Sequence, residues 1–245
     1  MRKDLPWERL GESWRRASLS GQIAGFWLTV LCGAAALAGL LWLCAGRPAA
    51  IPAWAEAAYV AGLYAWLWLL CAWARRLAGL PPWRSLNPMP LALGAGLGML
   101  CLGLLWGLSL GAGWASVGRL AQSWPQLVLQ ACLMAIAVAM IEERVFRGLM
   151  LDLGRRRLSE RAATHLQAGI YALPHLLRSD LSLTAWLNAL VSLWLTGLLL
   201  AKLRKGNDLS CGLGLHAAWI GCSSFAATAG LLVWPPAFHS LSGGG

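Results

Sequence analysis

Two adjacent carboxylates interrupt an apolar stretch at Ile141-Glu142-Glu143-Arg144-Val145-Phe146-Arg147-Gly148. Ionisable groups are expensive in apolar surroundings, so each one there points to function. On an α-helix, Glu143 and Arg147 stand at i and i+4, the favoured order for an ion pair. Glu142 is rotated about 100° from Glu143. It therefore faces a different neighbour and is free to stay unpaired. An unpaired carboxylate in a low-dielectric site is a stronger base than one in water and suits general-base work. Two histidines follow in apolar sequence, in Tyr171-Ala172-Leu173-Pro174-His175 and in Gly214-Leu215-His216-Ala217-Ala218-Trp219.

The elements that must position these groups are set by composition. The chain has 245 residues, of which 58% are hydrophobic and only 12% charged. Its mean hydropathy is +0.60, and 16 residues are Trp. These values exclude disorder, a coiled coil and a small disulfide scaffold, and argue against a water-soluble enzyme. They fit an all-α, polytopic transmembrane helix bundle. Charge-free runs predict about seven spans. The first lies between Arg16 and Arg47, the second over Ala57 to Ala74, and the third over about Pro90 to Ala112. The fourth runs from near Pro125 to Leu153, the fifth from Ala162 to Leu177, the sixth from Leu181 to Ala201, and the seventh from Leu209 to near Trp234. The first run is too long for a cleavable signal peptide and follows a charged segment. With the N-terminus inside and the C-terminus outside, 17 of the 20 Lys and Arg fall on the inner side and 3 on the outer. That asymmetry is the positive-inside pattern, with the cations read as anchors on anionic lipid. The net charge of +10 thus implies a lipid bilayer as partner and no nucleic acid. The seven Cys are scattered singly without C-x-x-C and read as small buried hydrophobes.

Four segments follow. Residues 1–20 form a cytoplasmic N-terminal segment whose Trp7, Trp14 and Arg/Leu pattern suit an amphipathic surface helix. Residues 21–124 hold three spans, residues 125–234 the chemistry-bearing core of spans four to seven, and residues 235–245 a short Gly-rich tail. Depth links the core groups. Glu142 lies 11 residues before Leu153, His175 14 after Arg161, and His216 11 after Lys205. At 1.5 Å per residue all three sit roughly 16–21 Å from the inner boundary. Spans four, five and seven approach that level from the same side, so one Glu and two His can share a layer. His165 and His239 are assigned to span ends or loops, and Asn188 to helix packing.

These motifs resemble those of the CPBP family, the intramembrane glutamic endopeptidases that include type II CAAX prenyl proteases and bacteriocin-processing proteins. Glu142-Glu143-x-x-x-Arg147, with Phe146-Arg147-Gly148, resembles its E-E-x-x-x-R motif. Tyr171-x-x-x-His175 resembles F-x-x-x-H, and Gly212 to Trp219 the segment around the last His. The likeness covers about Gln126 to Cys222. It implies that Glu142, helped by His175, activates a water, that His216 donates to the oxyanion, and that Glu143 and Arg147 orient and support the site. Tyr171 and Trp219 would line it. The family's Asn, four residues after the last His, falls on Ile220, which has no donor. Trp219, Ser223 or Asn188 are the candidate substitutes.

The implied activity is cleavage of a membrane-associated protein or peptide, such as a tail, a leader or a C-terminal sorting segment. No metal or other cofactor is expected. A zinc site built from Glu142, His175 and His216 is the weaker alternative, since H-E-x-x-H and any close His pair are absent. The competing reading is a non-catalytic CPBP-type immunity or adaptor protein, and a proton-coupled transporter ranks last for want of repeat symmetry. The compact chain suits an integral protein of the bacterial inner (cytoplasmic) membrane.

Overall fold

The computed structural model describes residues 6–46, 50–120, 123–176 and 183–234. The Gly-rich tail, His239, Arg47 and Arg178 lie outside the described residues. The fold is all-α, an integral-membrane helix bundle. Its helices are α1 (Pro6–Arg16), α2 (Leu19–Cys44), α3 (Ala53–Leu77), α4 (Pro88–Gly111), α5 (Trp124–Glu142), α6 (Leu151–Arg155), α7 (Glu160–Ala172), α8 (Leu183–Leu203) and α9 (Ser210–Thr228). A π-helical stretch, Glu143–Met150, joins α5 to α6. A 3₁₀ turn, Leu173–Leu176, follows α7.

Five helical segments among the described residues are long and apolar enough to cross a membrane: Leu19–Cys44, Ala53–Leu77, Pro88–Gly111, Trp124–Arg155 and Leu183–Leu203. The fifth and seventh expected spans do not meet that measure. Helix α7 has only 13 residues, because Pro174 lacks the N–H and the space to continue it. Helix α9 has 19 residues, but Ser210, Gly212, Gly214 and His216 dilute its apolarity. Those four are buried against other helices rather than facing lipid.

The chain forms two compact units. The first comprises residues 1–83 and 144–167. Here α2 and α3 pack as a hairpin, with α1 against α3. Large apolar side chains such as Leu28, Leu31 and Leu69 face outward. Polar groups are inside, the arrangement a hydrocarbon solvent demands. Arg75 donates to Asp152 Oδ2 at 2.7 Å and to the Gly148 carbonyl at 2.6 Å. Arg144 stacks 3.4 Å above the centre of the Trp68 ring. This corrects the reading of every inner cation as a lipid anchor. Arg75 and Arg147 are buried, and Arg75 is held by a carboxylate and carbonyls that offset its desolvation.

The second unit comprises residues 84–143 and 168–245, and positions the chemistry. Its frame is the α4–α9 pair. Asn87 caps α4, its side chain accepting from the Met89 N–H. Its own N–H donates to Ser210 Oγ at 2.8 Å, tying the start of α4 to the start of α9. At the other end, β1 (Ser116–Val117) pairs antiparallel with β2 (Leu232–Val233). The helices therefore run parallel, as the third and seventh spans of the expected layout would.

Between these ties the backbones touch. A side chain on Gly94 would collide with the Cys211 carbonyl, and one on Gly214 with the Leu91 carbonyl. A Cβ on Gly98 would stand 2.8 Å from the Leu215 carbonyl. Small residues at this spacing are what close helix packing in a membrane requires. Just past the end of α9, Gly230 has a φ of 67°, in the left-handed region that closes a helix C-terminus.

Candidate functional site

Four segments of the second unit converge on one cluster. Glu142 is the last residue of α5, and Glu143 opens the π-helical stretch. Such stretches are rare and concentrate at functional sites. Glu143 and Arg147 both lie in this stretch. Arg147 itself is buried in the first unit.

His216 is the hub. It is buried on α9, its side chain 5% exposed. Its Nδ1 lies 3.0 Å from Oε1 of Glu143, whose side chain is 1% exposed. A carboxylate accepts, so Nδ1 carries the proton and donates. The other edge of the ring, Nε2, lies 3.5 Å from Glu142 Oε2 and 3.5 Å from the Tyr171 hydroxyl. Gly212, one turn earlier, keeps room for Glu143, since a Cβ there would stand 3.0 Å from Oε2.

His175 sits in the 3₁₀ turn rather than in a helical span. Pro174 ends α7 and the turn carries His175 back over Tyr171. Nδ1 of His175 lies 2.9 Å from the Tyr171 carbonyl oxygen. A carbonyl only accepts, so Nδ1 holds the proton and Nε2 is the basic atom of the neutral ring. That atom stands 3.9 Å from Glu142 Oε1. The gap is too long for a direct hydrogen bond and suits a bridging water. The Tyr171 and His175 rings stack at 5.0 Å between centres. Gly197 of α8 admits Tyr171, with a Cβ there 3.4 Å from the tyrosine ring.

The cluster thus holds a half-exposed imidazole, a carboxylate with one side chain face open, and a second imidazole clamped by a buried carboxylate. Glu142 is 19% and His175 34% exposed at the side chain. Oε2 of Glu142 is buried without a hydrogen bond among the described residues. The structure brings Glu142, Glu143, Tyr171, His175 and His216 together. Trp219 lies on α9 three residues beyond His216, and Ile220 follows it with an aliphatic side chain. His165 lies within α7 rather than in a loop or at a span end. What sequence reasoning missed is the partnership of Glu143 with His216. Its only signal was the doublet itself, two carboxylates available for two imidazoles.

The opposite side of α9 differs in kind. Leu213, Gly214, Ala217 and Gly221 line an apolar groove of about 570 Å³ between α4, α5 and α9.

A family model described as "Type II CAAX prenyl endopeptidase Rce1-like" matches residues 124–221. None of the curated proteins or solved structures compared with the chain matches it. The matched span contains Glu142, Glu143, Arg147, Tyr171, His175 and His216, and over that span the chain is similar to the type II CAAX prenyl endopeptidases of the CPBP family.

Proposed function

We propose that the chain is a membrane-embedded endopeptidase that hydrolyses a peptide bond with a water activated by Glu142 and His175. The observation that carries the reading is the placing of the Glu142 carboxylate between two imidazoles, 3.9 Å from His175 Nε2 and 3.5 Å from His216 Nε2. A water between Glu142 Oε1 and His175 Nε2 gives up a proton as its oxygen bonds to the peptide carbonyl carbon. General-base assistance of this kind contributes about 10²- to 10⁴-fold. The carbonyl oxygen becomes an oxyanion. His216, its Nδ1 proton held by Glu143, presents Nε2 to that charge in its protonated form. The retained proton then passes to the departing nitrogen as the C–N bond breaks. Tyr171 packs both imidazoles in place.

The roles of Glu142, His175 and His216 use no metal. The substrate class is a membrane-associated protein or peptide cleaved near a tail, leader or C-terminal sorting segment; the matched family's description names a CAAX prenyl endopeptidase. The bias of basic residues toward one side supports a bacterial cytoplasmic membrane. A second reading, a non-catalytic immunity or adaptor protein, draws on one observation, the aliphatic Ile220 where the family carries Asn.

The test uses the purified full chain in lipid nanodiscs and a substrate found by its altered terminus in membranes. Cleavage that persists under exhaustive chelation and disappears in Glu142→Gln is expected. Loss on chelation with recovery on adding zinc would overturn the metal-free mechanism, and full activity of Glu142→Gln would overturn the reading.

A further inference from the structure

We infer that the indole N–H of Trp219 is the second hydrogen-bond donor to the oxyanion, taking the place that Ile220 cannot fill. The inference rests on the peptidase reading above and adds a catalytic residue to it.

Peptide hydrolysis makes two demands beyond the base. A carbonyl oxygen that becomes an anion needs preorganised donors aimed at it in a site that excludes water. His216 supplies one. Ile220 supplies none, because its side chain has no polar atom. Three side chains were open as substitutes, and the structure separates them. Asn188 on α8 and Ser223 on α9 are exposed on the surface of their unit. The Nε1 of Trp219 is buried and has no hydrogen-bond partner among the described residues.

Within the second unit, only two buried side-chain polar atoms among the described residues lack a hydrogen bond: Glu142 Oε2 and Trp219 Nε1. Buried polar groups are nearly always satisfied, so such exceptions call for a ligand or a catalytic use. One is an acceptor and the other a donor. A water nucleophile and a developing oxyanion would satisfy that pair.

The helical register agrees. At 100° per residue, Gly212, His216 and Trp219 fall within about 60° of one another on α9. Gly212 and His216 both face Glu143. Residues three apart on a helix have Cβ atoms roughly 5–6 Å apart, so Trp219 and His216 are adjacent positions on one face of α9. Leu213, Gly214, Ala217 and Gly221 occupy the rest of the circumference and line the apolar groove. The donor is thus on the side of α9 that carries the chemistry.

The test compares Trp219→Phe with wild type in nanodiscs, on the substrate identified by its altered terminus. Phe keeps a ring and removes the N–H. The expected result is a fall in kcat of about 10²- to 10³-fold with KM changed less than about threefold. Ile220→Asn in the Trp219→Phe protein should regain at least about tenfold by restoring a donor one residue away. Trp219→Phe within threefold of wild type, while Glu142→Gln is dead, would overturn the inference and leave the peptidase reading standing. So would a loss that Ile220→Asn fails to restore and that comes with a lowered unfolding temperature, since the indole would then be packing alone. Activity in Glu142→Gln would remove the reading and the inference together.

Discussion

Replacing Glu143 by Gln isolates the contact that sequence reasoning missed. The substitution keeps the volume and an acceptor oxygen for His216 Nδ1–H, and removes only the charge. The contact is 3.0 Å between side chains that are 1% and 5% exposed, so solvent screens little of it. A hydrogen bond to a charged partner contributes about 1.5–3 kcal/mol. Its value rises when His216 meets the oxyanion, because the ring then carries its greatest positive charge. At 1.36 kcal/mol per decade this corresponds to a fall in kcat of roughly 10- to 150-fold. KM should hold, since Glu143 is buried behind His216 and touches no substrate in this scheme. The assay is steady-state cleavage by the full chain in nanodiscs, with unfolding temperature as the control. A stable Glu143→Gln protein with kcat within threefold of wild type would refute the role assigned to this carboxylate.

Other expectations follow from the frame around the site. Gly214→Val forces a side chain into the Leu91 carbonyl and should cost about 1–3 kcal/mol through overpacking, lowering the unfolding temperature and displacing His216. Gly103→Ala, on the same α4 but with nothing within 4 Å, is the matched control and should be neutral; equal behaviour of the two would refute the close α4–α9 contact. Asp208 anchors the start of α9 from a loop, accepting from the Ser210 N–H at 2.8 Å. Its hydrogen bonds to Ser210 hold its carboxyl below the usual value of 3.8, with Arg84 assisting. The sign is that of a depressed carboxyl: its stabilisation is present above the unfolded value and is lost as pH falls through the lower folded value. Wild type should therefore lose stability relative to Asp208→Asn on acidification below about pH 4, and parallel pH profiles would contradict it.

Much of the site was legible because charge in apolar sequence is rare. Glu142, His175 and His216 announced themselves by type, and a rise of 1.5 Å per residue was enough to place them in one layer. The structure does bring them within 3.9 Å or less of each other through Glu142. The π-helical stretch was not legible, since choosing i→i+5 bonds over i→i+4 leaves no mark in residue type. The Glu143–His216 contact depends on that local winding and was hidden with it. Helix α9 was expected as a span from its lack of charge, yet its small and polar residues serve burial between helices, which a hydropathy measure reads as weakness. The α4–α9 contact had only a faint trace, Gly94 and Gly98 one turn apart and Gly214 on the partner. Cation placement misled at Arg75, because a count of charges near a span end cannot tell an anchor from a buried ion pair.

The central claim is that Glu142 activates water for peptide hydrolysis in a membrane. The most direct measurement compares protein termini in membranes of cells carrying wild type or Glu142→Gln, at matched expression. The account predicts new termini in the wild-type membranes alone, on a membrane-associated protein, with the uncut precursor accumulating in the mutant. Identical termini in the two membranes, with both proteins stably present, would contradict it.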